Sequence, residues 1–543
     1  MVIKLSFFTR PLVLIFLLAL FLRLFQLNNF PVGFHNDEVK AGWNAYSILK
    51  TGLDDRGNKL ALYYNSFGDY RPTGIFYTII PSLALFGKSE FAVRLPSALF
   101  GALTILVLYF LTRELTNKKR VAIIASLLLA INPWHISVSR ATSEVVISMF
   151  LALLGIYLLI RFLNTITRKF LIWGVFFLIL SYFFYHSIRL LAPLFIGMVV
   201  FYYWRSLGIK IKKVAVGVLI AVSLTTLFFS LDSQARSRFS QVSIFNDLDV
   251  HYELSKMPFE EGPNKVFIAR LFHNKLSVYA RRFINEYTRY FSADFLIGST
   301  GKPLRYLTVG VGQLTYIEAL LLLIGLAAIV RGKQNFLPLL LLLVAPIPAA
   351  LTTEDAPNLH RALFMIPFIA IIGAYGLEFI FNLKRFKKPT LYLTSFLLVA
   401  NFIFYLHQYY THAKFNVSLY RNIGAKELAQ ELNKVQNNYD KIVLTDIPDD
   451  PYPWIAFFTG RDPATFNRDA IKREKGVWTT ENFEFTGQRC PSKDVLAAPE
   501  SPKMLVVDGE GCDYELNLRR MVKILNQIKR PDSGIVYTLW STI

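Results

Sequence analysis

The chain has 543 residues, of which 53% are hydrophobic and only 18% charged, with 47 Phe and 27 Tyr. A water-soluble protein of this length could not bury that much apolar surface, so an ordinary soluble enzyme is excluded. The net charge of +21 would suit a nucleic-acid partner, but the basic residues cluster between apolar runs, as in the loops of membrane proteins, and no nucleic-acid role is expected.

The first apolar run, residues 11–27, lacks a small-residue cleavage site and reads as an uncleaved signal anchor. Just past it comes His35-Asn36-Asp37-Glu38, an adjacent carboxylate pair where the first helix leaves the bilayer. Val39, Trp43, Tyr46 and Leu49 then share one helical face, which predicts an amphipathic helix on the membrane surface with the carboxylates at headgroup depth. Asp54-Asp55-Arg56-Gly57 and Ser66-Phe67-Gly68-Asp69-Tyr70-Arg71-Pro72 follow. Residues 75–86 are apolar but too short to span and read as re-entrant or interfacial, with Arg71 at their head. Arg94 opens the second span.

With the first run, spans are predicted at 91–115, 121–134, 144–160, 170–185, 190–203, 214–230, 308–330, 336–351, 362–381 and 390–406, about eleven in all. Basic residues test this order. Lys4 and Arg10 precede the first span, and later clusters include Lys118-Lys119-Arg120, Arg168-Lys169, Lys212-Lys213, Arg331 with Lys333, and Lys387-Lys388. All fall on one side, which the positive-inside rule makes cytoplasmic. The N-terminus is then cytoplasmic, and the segments 28–90, 134–143, 231–307 and 352–361 lie on the opposite face of the cell membrane, as does the tail. Within the long loop, 265–291 is apolar and basic, either a cover over an acceptor site or a surface helix.

The tail is polar and Pro-rich, as in Ile447-Pro448-Asp449-Asp450-Pro451. An amphipathic helix is predicted at 421–435, with short strands at 441–445, 503–507 and 535–540. The expected architecture is therefore a mainly α polytopic membrane domain, 1–410, followed by a small extracytoplasmic α/β domain, 411–543. Cys490 and Cys512, the chain's two cysteines, both lie in the exported part and suit one disulfide, with two free thiols as the alternative.

The unusual polar residues gather on the non-cytoplasmic face. A carboxylate at headgroup depth can take a proton from a hydroxyl, and a guanidinium can bind phosphate bidentately. Asp37 and Arg71 supply both in one loop. Ser139-Arg140-Ala141-Thr142-Ser143-Glu144, Tyr185-His186-Ser187-Ile188-Arg189, Glu354-Asp355 and His360-Arg361 add ionisable groups at span ends. Any single arginine there also has the plainer role of a snorkelling anchor. Histidines 35, 186 and 360 show no metal-site spacing, so a divalent metal stays open and no cofactor is assigned.

Several blocks, in order, resemble the family 39-like glycosyltransferases of the GT-C superfamily, which include protein O-mannosyltransferases and aminoarabinose transferases. They are His35-Asn36-Asp37-Glu38, Ala45-Tyr46-Ser47-Ile48-Leu49-Lys50-Thr51-Gly52, Ser66 to Pro72, Phe91-Ala92-Val93-Arg94-Leu95-Pro96-Ser97, Asn132-Pro133-Trp134-His135 with Ser139-Arg140, and His360-Arg361-Ala362-Leu363. The resemblance implies a GT-C-like fold and an inverting transfer from a polyprenyl-phosphate-linked sugar, on the non-cytoplasmic face, to a glycan, lipid or protein acceptor. It makes Asp37 the base and Glu38 the second acid of the motif. Arg71 with Pro72 takes the place of a basic residue associated with donor phosphate, while Tyr70 stands where the aminoarabinose transferases carry an acid, with Asp69 beside it. Arg94, Glu144, His186, Arg189, His360 and Arg361 complete the expected donor and substrate set. The competing class is a lipid or lipid-linked-sugar flippase, which predicts mid-span charges and internal repeats; the charges here collect in loops.

Overall fold

The computed structural model describes residues 10–66, 69–262, 266–332, 334–447, 449–470, 477–496, 503–512 and 522–542. Lys4, Phe67, Gly68, Lys265, Lys333 and Pro448, named above, lie outside them. In chain order the helices are α1 (Arg10–Leu24), α2 (Asn36–Thr51), α3 (Gly74–Phe86), α4 (Glu90–Thr116), α5 (Lys119–Ile131), α6 (Pro133–Arg140), α7 (Glu144–Thr165), α8 (Arg168–Leu180), α9 (Ser187–Tyr203) and α10 (Ile209–Leu231). Next come α11 (Ser233–Val242), α12 (Leu248–Glu260), α13 (Val266–Phe272), α14 (Lys275–Arg289), α15 (Ala293–Leu296), α16 (Tyr316–Val330), α17 (Leu337–Val344), α18 (Ile347–Ala350), α19 (Ile366–Phe381) and α20 (Lys387–His407). A hairpin of β1 (Tyr63–Ser66) and β2 (Asp69–Pro72) sits between α2 and α3 in the chain.

Among the described residues, five helices are long and apolar enough to cross a membrane, and α5 with α6 makes a sixth if the pair, bent by 56°, is one span. Shorter apolar helices stand at the places of other expected spans, at Ser187–Tyr203, Tyr316–Val330 and Leu337–Ala350. Full-length candidate spans among the described residues therefore number five or six, against the eleven expected. At thirteen residues, or about 20 Å, α3 cannot cross a bilayer, as expected of residues 75–86.

The expected span 121–134 is broken because Asn132 and Pro133 end one helix and begin the next. Pro133 cannot donate to a continuing ladder, and Asn132 Oδ1 accepts the His135 N–H at 2.9 Å as an N-cap. The break exposes carbonyls at the end of α5, and Arg23 of α1 covers them, donating to Leu129 O at 3.5 Å and Ala130 O at 3.2 Å. Arg140, at the end of α6, returns the contact, donating to Leu22 O at 2.6 Å and Phe25 O at 2.7 Å at the end of α1. Both guanidiniums are fully buried. A cation at a helix C-terminus meets the negative end of the peptide dipoles, which makes these sites tolerable inside the protein. Close packing of α16 on α19 requires glycine: a Cβ at Gly325 would lie 1.9 Å from Ile372 O, and one at Gly376 2.1 Å from Leu321 O.

By contacts the chain forms two compact units. The first comprises residues 1–25, 62–74 and 97–409; the second comprises 26–61, 75–96 and 410–543. The second unit holds a mixed six-stranded sheet of β3 (Lys441–Thr445), β4 (Val477–Thr480), β5 (Phe483–Thr486), β6 (Met504–Asp508), β7 (Lys523–Lys529) and β8 (Ile535–Ser541), in the order β4-β5-β3-β6-β8-β7. β3 is parallel to β5 and β6, and the other pairs are antiparallel. The three predicted strands are present, and the amphipathic helix runs over Ala425–Val435. Sequence reading missed β4, β5 and β7. The last is an exposed edge strand with little apolar alternation to reveal it. Cys490 and Cys512 form a disulfide, with Cα atoms 5.8 Å apart.

One expectation is overturned here. α2 does not lay an apolar face on the membrane surface, because Val39 and Trp43 are buried inside the second unit. Trp43 Nε1 donates to Asn467 Oδ1 at 2.9 Å. A Cβ at Gly42 would meet Phe457 at 2.9 Å. Its amphipathic pattern is satisfied by protein from the far end of the chain, which a local reading of periodicity cannot distinguish from lipid.

Candidate functional site

The expected site residues divide between the units: Asp37, Glu38 and Arg94 belong to the second, and Asp69, Arg71, Glu144, His186, Arg189, His360 and Arg361 to the first.

In the second unit, His35 is the N-cap of α2. Its Nδ1 accepts the Asp37 N–H at 3.0 Å, and Glu38 Oε2 accepts the His35 N–H at 3.2 Å, a reciprocal capping box. The carboxylates thus sit in the first turn, where backbone N–H groups favour negative charge. Asp37 and Glu38 then diverge. The Asp37 side chain is 26% exposed, with Oδ2 3.6 Å from His35 Nδ1. Glu38 is only 2% exposed. It accepts from Arg94 Nε at 2.9 Å and Nη2 at 3.2 Å, and from Arg421 Nη2. Arg94, fully buried, also donates to Leu27 O at 3.2 Å and Gly33 O at 2.5 Å, and pairs with Glu90 at 3.3 Å. Arg421 Nε donates to Val32 O at 2.9 Å. Gly33 is needed here: its φ is +79°, and a Cβ would fall 2.5 Å from Arg421 O. Glu38 therefore ties α4, residues 32–38 and the start of the C-terminal segment together, while Asp37 beside it reaches solvent. Asn36 adds a second tie, its N–H donating to Asn422 Oδ1 at 3.0 Å and its amide to Asp449 Oδ1 at 2.9 Å.

In the first unit, Arg71 lies on β2 opposite Tyr64 of β1. Asp69 opens the same strand, and its side chain lies outside the described residues. His186 fixes this hairpin: its Nε2 meets Tyr70 O at 2.9 Å, and its ring stacks on Tyr63 at 5.8 Å. Nε2 carries the proton in that arrangement, leaving Nδ1 to accept from Arg189 Nη1 at 3.1 Å. Arg189 also donates to Tyr63 Oη at 2.8 Å and Tyr182 O at 3.0 Å. Burial, with Arg189, Arg238 and Arg71 nearby, pushes the His186 pKa down to about 3 despite the Tyr70 carbonyl, so the ring is neutral at ordinary pH. Arg238 of α11 donates to Glu354 Oε2 at 2.7 Å, and Arg361 donates to the same carboxylate and to Thr352 Oγ1 at 2.9 Å. Burial alone would raise the Glu354 pKa, but Arg238 and Arg361 together hold it below the usual carboxylate value.

His360 Nε2 lies 2.8 Å from Ser143 Oγ, and its ring stacks on Tyr306 at 5.1 Å. Glu144 begins α7 after Ser143, and the Tyr185 hydroxyl lies in the field of Arg361 and Glu144. The first unit thus gathers the expected residues Arg71, His186 and Arg189 in one cluster, and Glu144, His360 and Arg361 around the neighbouring Tyr185. Arg238 and Tyr63 were missed by sequence reading. Arg238 sits in a long loop without a motif, and Tyr63 is an unremarkable aromatic until the hairpin turns it onto His186. No group of three or more His, Cys, Asp or Glu able to hold a metal occurs among the described residues.

Residues 70–229 match the model of the dolichyl-phosphate-mannose-protein mannosyltransferase family. The fold is similar to that of ArnT. Similar structures include ArnT from Cupriavidus metallidurans in the apo state, with TM-score 0.56 and 11% identity, covering 98% of this chain and 97% of that one. The same enzyme bound to undecaprenyl phosphate gives TM-score 0.51 at 11% identity and the same coverage. The archaeal oligosaccharyltransferase AglB from Archaeoglobus fulgidus, in complex with an inhibitory peptide and a dolichol-phosphate, gives TM-score 0.46 and 14% identity, covering 82% of this chain. The present chain spans 62% of the length of AglB. Among curated proteins, none matches the sequence. The match over residues 70–229 agrees with the family expected from the ordered sequence blocks, and the likeness to ArnT agrees with the expected architecture.

Proposed function

We propose that the protein is a membrane glycosyltransferase that moves a sugar from a polyprenyl-phosphate-linked donor to an acceptor hydroxyl on the non-cytoplasmic face, with inversion. The observation that carries this reading is the unequal treatment of the acid pair. Glu38 is consumed in buried ion pairs, whereas its neighbour Asp37 is fixed in the same helix turn and left accessible. A general base needs both properties, a set position and access to the proton it removes.

In the proposed step, Asp37 takes the proton of the acceptor hydroxyl while that oxygen bonds to the anomeric carbon. The bond from that carbon to the phosphate oxygen breaks, and prenyl phosphate leaves with the electron pair. Arg71 and Arg189 serve the phosphate, since a guanidinium can bind phosphate bidentately and stabilise the charge that grows on it. Arg361 and Arg238 share Glu354 and set the edge of that cluster. Glu38 and Arg94, expected as a catalytic acid and a phosphate ligand, become positioning residues for Asp37, because their polar atoms are engaged with each other and with backbone carbonyls. His186 acts as a neutral strut between Arg71's strand and Arg189.

The test is transfer of radiolabelled sugar from purified polyprenyl-phosphate sugars by reconstituted protein, wild type against Asp37→Asn. Turnover that survives in the variant would remove Asp37 from the mechanism. Absence of transfer from every prenyl-phosphate sugar, with lipid-linked sugar crossing the bilayer instead, would favour the flippase reading.

A further inference from the structure

Helices α12 to α14 fill most of the long segment between α10 and α16, and their apolar residues point the wrong way for a water-facing loop. Leu248 is 82% exposed, Phe259 84%, Phe267 81% and Leu276 80%. On α12, Leu248, Tyr252 and Phe259 recur at spacings of four and seven, so they form one stripe, and all three are exposed. On α13, Phe267 and Leu271 repeat the pattern. An isolated exposed Leu is normal, but a run of fully presented Phe and Leu side chains over three consecutive helices is not.

The opposite side of the same helices is tied together by charge. Arg281 pairs with Glu253, His273 Nε2 lies 3.2 Å from Glu261, and Arg282 lies 2.6 Å from Asp247. These three acids are held within the element, and the exposed Glu260 lies 3.6 Å from Lys256, while Arg270 and Lys275, beside the exposed apolar residues, remain at the surface. The element is also fixed at the end of membrane helices. Ile244 N–H donates to Leu351 O at 3.1 Å, Thr353 N–H to Val242 O at 2.8 Å, and Tyr287 Oη to Leu343 O at 2.7 Å. Leu343 is in α17, and Leu351 directly follows α18. Tyr287 of α14 and the residues just before α12 are thus hydrogen-bonded to the C-terminal half of the apolar stretch 337–351 and the residues that follow it.

We propose that α12–α14 form an interfacial foot that sinks Phe259, Phe267 and Leu276 into the headgroup–acyl boundary of the leaflet where α10 and α17 end, with Arg270 and Lys275 meeting anionic headgroups. The occupant of this face is lipid, since exposed apolar residues rimmed by unconsumed basic ones, tethered at a bilayer edge, match the chemistry of an anionic membrane surface. The proposal does not depend on sugar transfer.

The two native cysteines pair with each other, so Phe267→Cys and Leu276→Cys each provide a single thiol for an environment-sensitive fluorophore. The labelled full chain is reconstituted in phosphatidylcholine–phosphatidylglycerol vesicles at less than one copy per vesicle. Blue-shifted emission, protection from iodide and about a twofold loss of intensity with nitroxide lipids labelled near the headgroup are expected. Arg270→Glu with Lys275→Glu should weaken that loss in phosphatidylglycerol vesicles. Iodide quenching without a nitroxide effect overturns the proposal. Protection that appears only at many copies per vesicle also overturns it, and assigns the face to a second copy of the chain.

Discussion

The N-terminal turn of α2 and the arginine cluster of the first unit are both rich in ion pairs, but they balance charge differently. Around Glu38, the acids Asp37, Glu38 and Glu90 stand against Arg94, Arg421 and Lys426, and Lys426 Nζ reaches Glu90 Oε1 at 2.7 Å. Around His186 and Glu354, among the described side chains, Arg71, Arg189, Arg238 and Arg361 stand with the acids Glu354, Glu144 and Asp232. A balanced, buried network fixes geometry and gains little from a ligand. A cationic surplus beside a neutral histidine is improved by an anion. The contrast separates residues that hold a site in shape from those suited to bind a charged substrate.

The largest expected effect tests the accessible member of the acid pair. Asp37→Asn should lower the transfer rate by about a thousandfold, the scale of a lost general base, with the melting temperature unchanged. A matching loss of stability would move Asp37 into the structural set. Glu38→Ala removes the buried carboxylate that two buried guanidiniums share. It should destabilise the protein by about 3 kcal/mol, read by chemical denaturation in detergent, and Arg421→Ala should do nearly the same. If Glu38→Ala left stability intact while abolishing turnover, the balanced network would instead be catalytic. Arg71→Ala should weaken prenyl-phosphate binding by about tenfold, measured by titration with the free lipid phosphate, with folding unaffected. Equal binding in that variant would remove the anion role from the surplus.

An effect confined to acid pH concerns His186. Its folded pKa is depressed to about 3, so the unfolded chain binds a proton that the folded one refuses as pH falls below the ordinary value near 6.5. The neutral ring's contribution is present above pH 6.5 and is lost at up to about 1.4 kcal/mol per pH unit below it. His186→Gln should flatten the acid limb of a stability profile between pH 6.5 and pH 4. An unchanged profile would place the titration elsewhere.

Much of this was legible in the chain itself. The apolar runs and one-sided basic clusters indicate a polytopic membrane protein, since a bilayer accepts only long apolar helices and charge sorts the loops. The order of His35-Asn36-Asp37-Glu38, Arg71-Pro72 and His360-Arg361 pointed to the family whose model matches residues 70–229, and the two cysteines suited the disulfide that the structure forms. The Asn132-Pro133 pair was visible too, but reading it as part of a span overlooked what proline does to a helix ladder.

Tertiary structure decided the rest, because it joins residues whose separation carries no local signal. Glu38 and Asp37 are chemically alike and adjacent in sequence. Only the arrival of Arg94 and Arg421, the latter 383 positions away, buries one and spares the other. Likewise α2 looks like a membrane-surface helix until Asn467 and Phe457 cover it, since apolar periodicity records that a face is hidden and not what hides it. The sequence determined which chemical groups the protein owns and on which side of the membrane they are expected. Folding determined which of them are buried in ion pairs and which reach solvent.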